Sequence, residues 1–267
     1  MRRIGARMQR IDGFTLVELV VVIAVMGILS IGAVAFITDA SDGYASTVRR
    51  TELGSTMRLA AERMTRELRN ALPNSVRVSG NCLEFIPTEG GSSYLNLPVS
   101  IAATGFDVVA PIDPSMNGAR IAVFPDSAGA VYSLTEPGVV SPAASFAPPD
   151  ANNVVRVTLT TSHRFPVESP ERRFYLLHAP VSYCVDQNRL WRYQNYGFVA
   201  TQPNVAALPT TMPGRSLIGE GLSASAPPFT FAGATLTRNA EVGIDLEFRD
   251  GADALRIHHV VQLRNVP

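Results

Sequence analysis

The chain has 267 residues, of which 46% are hydrophobic, and no net charge at neutral pH. That is enough for one large domain, or a domain plus an elongated element, and it is too apolar for a chain disordered throughout. All 23 basic residues are arginine and lie scattered, which we read as a composition bias; the first 13 residues carry a charge of +3 and the rest −3, which speaks against the basic stripe of a nucleic-acid binder.

The first predicted element is a helix. Phe14 to Ile37 form a 24-residue apolar run with Glu18 as its single ionisable group. At about 1.5 Å per residue it spans roughly 36 Å, enough for a bilayer core of roughly 30 Å. Arg2, Arg3, Arg7 and Arg10 precede it, so the positive-inside rule keeps the N-terminus cytoplasmic and sends the remainder outward. A secretory signal peptide has a shorter apolar core followed by a small-residue cleavage site, loosely offered by Ala33-Val34-Ala35. That reading and a plain single-pass anchor both leave Glu18 unexplained. A carboxylate in hydrocarbon costs roughly 2.5–3.5 kcal/mol on insertion scales and usually has a partner. Cleavage between Gly13 and Phe14 creates one: a free amine at the membrane edge, within reach of Glu18, most usefully on a neighbouring subunit.

A short basic leader ending in Gly13, then Phe14-Thr15-Leu16-Val17-Glu18 and about twenty apolar residues, resembles the type IV prepilin signature. The resemblance implies that a prepilin peptidase cuts after Gly13 and N-methylates Phe14, and that Glu18 supports subunit docking in a fibre. It further implies a pilin-like fold, with the head in the periplasm and the chain held in the bacterial inner membrane before assembly into a pilus or pseudopilus. The implied partners are other major and minor pilins, the prepilin peptidase and an inner-membrane assembly platform.

Beyond Ile37 the chain turns polar while the helical period continues. Leu53, Met57, Ala60, Ala61, Met64, Leu68 and Ala71 recur at spacings of three and four, an apolar stripe that we read as core packing. Arg58 with Glu62, Glu62 with Arg66, and Arg63 with Glu67 are i,i+4 pairs worth tenths of a kcal/mol each. The cluster Ser41-Asp42-Gly43 marks an expected weak point. Pro73 is expected to stop the helix near Leu72.

From Asn74 the period changes to two. Val155, Val157 and Leu159 alternate with polar residues, as do Val242, Ile244, Leu246 and Phe248, the pattern of half-buried strands. Asp250 to Asp253 is expected to turn the chain into a C-terminal hairpin ending near Arg264. Gln187-Asn188 is expected to join another, between Arg173–Asp186 and Leu190–Tyr196, with Pro180 breaking its first arm. Leu83–Ile86 and Ile121–Phe124 are further strand candidates. One long helix followed by mainly antiparallel strands predicts an α+β fold. The expected organisation is a leader over 1–13, a membrane half of the helix over 14–37, an amphipathic half over 38–72 and a β-rich head over 73–267. The proline-rich stretches Glu136–Asp150 and Ala200–Gly214 predict long unstructured loops, functional or mobile.

Cys82 and Cys184 are the only cysteines. By strand parity each falls on the more polar side of its strand, which is compatible with a disulfide in an oxidising compartment; two unrelated buried thiols are the other reading. His258 and His259 are adjacent on a strand, so they face opposite ways and cannot readily share a metal. His259 falls on the apolar parity and is expected in the core. Asp245, Glu247, Asp250 and Asp253 lack EF-hand spacing and read as a solvated hairpin. Arg189, Trp191, Arg192, Tyr193 and Tyr196 suit cross-strand packing, with stacking on a sugar or base as the other reading. No metal, cofactor or catalytic residue is expected.

The segments RRFYLLHAPVSYCVDQNRLWRY and LRIHHVVQLRNVP resemble larger minor pilins. They are closest to the MshO-like proteins of the mannose-sensitive haemagglutinin pilus, with kinship to PilW-like minor pilins and the J-type pseudopilin of type II secretion. The resemblance implies a minor subunit active in pilus assembly or initiation. A minor pseudopilin of type II secretion is the runner-up, a membrane-tethered periplasmic enzyme is the reading from another class, and a DNA-uptake pilin would need a basic groove on the head.

Overall fold

A computed structural model describes residues 15–110, 114–223, 227–235, 238–251 and 253–263. The chain divides after Thr51 into two compact units. Helix α1 occupies Leu16–Arg69. Thr15 caps it: its hydroxyl accepts from the Glu18 amide at 3.3 Å and its carbonyl from the Leu19 amide at 3.2 Å. An acid stands in the first turn and Arg66 and Arg69 in the last, as the macrodipole favours. The hydrogen-bonded helix passes through Gly43, so the expected weak point does not end it. Thr47 Oγ1 donates to the Gly43 carbonyl at 2.9 Å, and Ser30, Thr38 and Thr51 bond back four residues in the same way. Their hydroxyls are thus satisfied inside the helix.

The helix ends at Arg69, before the expected Leu72, because the residues between are claimed by a strand-like pairing. The Leu72 amide donates to the Ile86 carbonyl at 2.8 Å, and the amide and hydroxyl of Thr88 both donate to the Asn70 carbonyl.

The strands that follow are β1 (Arg77–Ser79), β2 (Cys82–Phe85), β3 (Thr88–Ser93), β4 (Ala103–Val109) and β5 (Arg120–Ala122). After the short helix α2 (Ala128–Tyr132) come β6 (Ala144–Phe146), β7 (Val154–His163), β8 (Arg173–Leu177), β9 (Val181–Asp186) and β10 (Arg189–Tyr193). The chain closes with β11 (Arg215–Glu220), β12 (Leu222–Ser223), β13 (Phe229–Ala232), β14 (Glu241–Asp250) and β15 (Asp253–Gln262). All described pairings are antiparallel, which makes the fold α+β. One sheet has the order β1-β2-β9-β10-β11; a second is built on β14, with β12 and β13 along one side and β15 along the other. Two three-stranded sheets have the orders β3-β8-β5 and β4-β7-β6.

The main core lies where Met57, Ala60, Met64 and Leu68 of α1 meet two sheets. They pack on Leu83, Phe85, Tyr183 and Leu190 from the first and on Val242, Ile244, Leu246 and Phe248 from the second. Fully burying an aliphatic side chain of this size contributes about 1.5–3 kcal/mol. A separate core joins the three-stranded sheets through Phe106, Val108, Ile121, Val155, Val157, Phe165 and Phe174. The β9–β10 turn uses Gln187 and Asn188 at φ of 48° and 61°, the geometry of a tight hairpin. Strand β8 pairs with β3 and β5, not with β9, so Pro180 separates strands of two different sheets.

The two proline-rich stretches are not free loops. In the first, Val139, Val140 and Ser141 are buried, and the Ser141 amide donates to the Ile121 carbonyl at 2.8 Å. The second carries buried Leu208, which packs with Cys82, Cys184 and Tyr193.

Candidate functional site

The first candidate site is the start of α1. Gly13 and Phe14 lie outside the described residues. Glu18 is exposed, in the first turn, and no described side chain pairs with its carboxylate. Thr15 and Glu18 stand three apart, the spacing of a capping box. Sequence reasoning assigned Thr15 only to the leader motif, although this spacing was visible in it. From Leu16 to Ile37 apolar residues are exposed on all sides of the helix; Leu16 is 78% and Ile31 74% exposed. This exposed part of the helix is long and apolar enough to cross a membrane. A helix with no polar face is suited to lipid or to packing among other apolar helices.

In the head, strands β2 and β9 bring Cys82 and Cys184 opposite each other in register, bonded with S–S 2.07 Å. The more polar sides of these strands are buried: Cys82 is 3% exposed, and Cys184, Glu84 and Ser182 are fully buried. The chain from Gln194 to Gly214 covers them. Gln202 donates to the Cys82 carbonyl at 3.1 Å, and Arg77 donates to the carbonyls of Val199 and Ala200 at 2.7 and 2.6 Å.

Arg77 also holds the Glu84 carboxylate at 2.5 Å and lies 3.6 Å above the Tyr132 ring. Tyr196 donates to the other Glu84 oxygen at 3.0 Å. Burial pushes the Glu84 carboxyl above its ordinary value, while Arg77 and the Tyr196 hydroxyl pull it back. Burial likewise raises the Tyr196 phenol, and Glu84 beside it adds to the shift. The residues form a staple between sheet, α2 and covering segment.

The aromatic and basic cluster is consumed by packing. Arg192 donates to both Glu67 oxygens at 3.1 and 2.9 Å, Arg189 pairs with Glu220, Tyr193 is buried, and Arg215 lies 4.5 Å over Trp191. In the C-terminal hairpin Arg256 grips Asp245 through two bonds of 2.7 and 2.6 Å, and this hold depresses the Asp245 carboxyl. His258 stands 3.6 Å from the same carboxylate. His259 is not in the core as expected; it is half-buried, because β15 is an edge strand and α1 leaves its inner face partly open. Among the described residues, no three His, Cys, Asp or Glu side chains are grouped to hold a metal ion.

His163, which the sequence did not single out, is buried. Its Nδ1 faces Glu136 at 2.7 Å and its Nε2 faces the Gly138 carbonyl at 2.8 Å. Both ring nitrogens face the proline-rich segment, which the ring ties to β7.

The family model described as the prokaryotic N-terminal methylation motif matches residues 8–34. Neither a curated protein nor a solved structure matches the chain. The matched segment contains Gly13, Phe14 and Glu18, so the chain has a type IV prepilin-like N-terminus.

Proposed function

We propose that this chain is a minor type IV pilin-like protein, processed by a prepilin peptidase, that takes part in assembling or initiating a pilus of the mannose-sensitive haemagglutinin kind. The observation that carries the reading is the methylation motif running directly into an exposed apolar helix. In this reading residues 1–13 are the leader, 14–37 the membrane and fibre-core half of the helix, 38–72 its amphipathic half and 73–267 the periplasmic head. Cleavage after Gly13 exposes the amine of Phe14, which is then methylated. The Glu18 carboxylate, on the first turn of a helix with no other ionisable group before Asp39, pairs with such an amine on a neighbouring subunit, so that assembly neutralises a charge that lipid disfavours. Major and minor pilins and the inner-membrane assembly platform are the partners of this role.

Mass spectrometry of the protein from its host should find a chain beginning at methylated Phe14; a chain that functions with its first 13 residues retained overturns the proposal. Replacing Glu18 with Ala should leave membrane insertion intact and reduce incorporation into filaments. Gene deletion separates this role from a minor pseudopilin of type II secretion: loss of surface pili supports the first, loss of exoprotein release the second.

A further inference from the structure

The second sheet of the head stops one strand short of covering the helix. On its inner face Leu255, Ile257 and His259 of β15 are only half-buried, although their cross-strand partners Phe248, Leu246 and Ile244 are fully or almost fully buried. Between these residues and α1 lies an open groove of about 800 Å³, its floor formed by Met57, Ala61 and Thr65. The Thr65 hydroxyl oxygen is buried there without a hydrogen-bond partner, a cost for which the folded head alone offers no return.

The groove borders an open backbone edge. Asp250 pairs with Asp253 at the hairpin turn, so ladder bonds to β14 recur at Leu255, Ile257 and His259. The amides and carbonyls of Ala254, Arg256, His258 and Val260 then point away from β14, and among the described residues no backbone group meets them. The other side of β14 keeps the same phase: the Asp245 amide donates to Pro228 and the Arg249 amide to Gly221. A ten-residue edge strand left open is a template for another strand.

The rim is basic. Arg58, Arg66, Arg69 and Arg256 surround the groove, with Glu62 the only acid among its lining residues. Arg58 is satisfied by Glu62 and Arg256 by Asp245. Arg66 and Arg69 have no acidic partner among the described residues; the expected Glu62–Arg66 pair does not form, because Glu62 turns to Arg58.

We infer that the edge of β15 and the groove beside α1 receive an extended segment of a partner protein, apolar at the alternate positions that face the helix and acidic at its ends. The segment pairs with the outward backbone of β15 as an added strand. Its apolar side chains close the groove over Met57, Ala61 and Ile257, and the terminal carboxylates on that same face meet Arg66 and Arg69. This rests on the head alone and is independent of the proposed filament role.

The test uses the full chain in phosphatidylcholine nanodiscs and a fluorescent peptide as long as the ten-residue β15, alternating valine and serine in its middle and carrying two glutamates at each end, so that one at each end faces the groove. The expected result is saturable binding with slowed hydrogen exchange at Ala254, Arg256, His258 and Val260. Methylating alternate peptide amides, or replacing glutamate with lysine, should weaken binding about tenfold or more, as should His258→Pro, each loss equivalent to about 1.4 kcal/mol. Proline at His258 removes an outward donor and spares the ladder to β14. Arg66→Gln with Arg69→Gln gives a second variant, at exposed positions, should the first not fold, and the same loss is expected. Absence of binding overturns the inference, as does equal binding by the methylated or lysine peptide. Displacement of the peptide by free phospholipid, or dimerisation of the chain alone through β15, assigns the groove to another occupant and overturns it too.

Discussion

Between Leu16 and Ile37 helix α1 is apolar on every side and exposed on every side, whereas between Met57 and Leu68 its buried residues form a single stripe packed on two sheets. Both stretches belong to one continuous helix with one hydrogen-bond pattern. What separates them is where the partner for the apolar surface comes from. The second stretch finds its partner in the same chain; the first has none among the described residues and must find it in lipid or in other helices. A polar face is thus the sequence mark of a helix that its own head covers, and its loss marks a helix left for an external surroundings.

The contrast can be tested by perturbing each region and following unfolding of the head through Trp191, the only tryptophan. The largest effect is expected inside the head. The bond between Cys82 and Cys184 spans a sequence separation of 102 residues, and replacing both with Ser should cost about 3–5 kcal/mol of head stability in urea titration. A head of unchanged midpoint would mean that the covering segment holds those strands unaided. Next is Met64, which is fully buried. Met64→Ala should lower stability by about 2–4 kcal/mol, while Ile28→Ala in the exposed stretch leaves it within about 0.5 kcal/mol. Equal losses from the two would abolish the distinction between the stretches.

The smallest effect is one of pH. Burial raises the Glu84 carboxyl above 4.5, so the folded head retains a proton that the unfolded chain gives up, and stability falls as pH rises from that ordinary value through the raised one. Asp107 and Asp245 work in the other direction. Arg156 and Arg256 hold their carboxyls below the ordinary 3.8, and that stability is lost only as pH falls through the lowered values. Thermal unfolding of Glu84→Gln measured from mild acid to neutral pH should therefore move in the variant's favour relative to the parent as pH rises. A constant difference across that range would show that Glu84 does not titrate there.

Periodicity made much of the fold legible. Val155, Val157 and Leu159 of β7 and the Val242–Phe248 alternation in β14 are buried where period two placed them, and the Met57–Leu68 stripe is buried where a helical period placed it. The tight turn at Gln187-Asn188 was legible as well, because two residues between alternating runs admit few backbone geometries. Three features were not. The polar faces around Cys82 and Glu84 are buried because a segment more than a hundred residues away folds over them, and alternation says nothing about long-range cover. His259 has the parity of a core residue and lies half-open because its strand is the last in its sheet. His163 sits among threonines and serines with no pattern to mark it, and its role depends on Glu136 and Gly138 arriving from a distant loop.

By itself the sequence determined what is local: a long helix opening in an apolar run, a prepilin-like motif at its start, the alternation of the strands and the α+β class. These depend on backbone geometry and on spacings of a few residues, which every segment carries within itself. Tertiary structure alone decided which strands share a sheet, which polar groups are buried in pairs such as Arg77 with Glu84, and which edge is left open at β15. Each of those depends on which distant segment arrives to exclude water, and no short stretch of sequence contains that information.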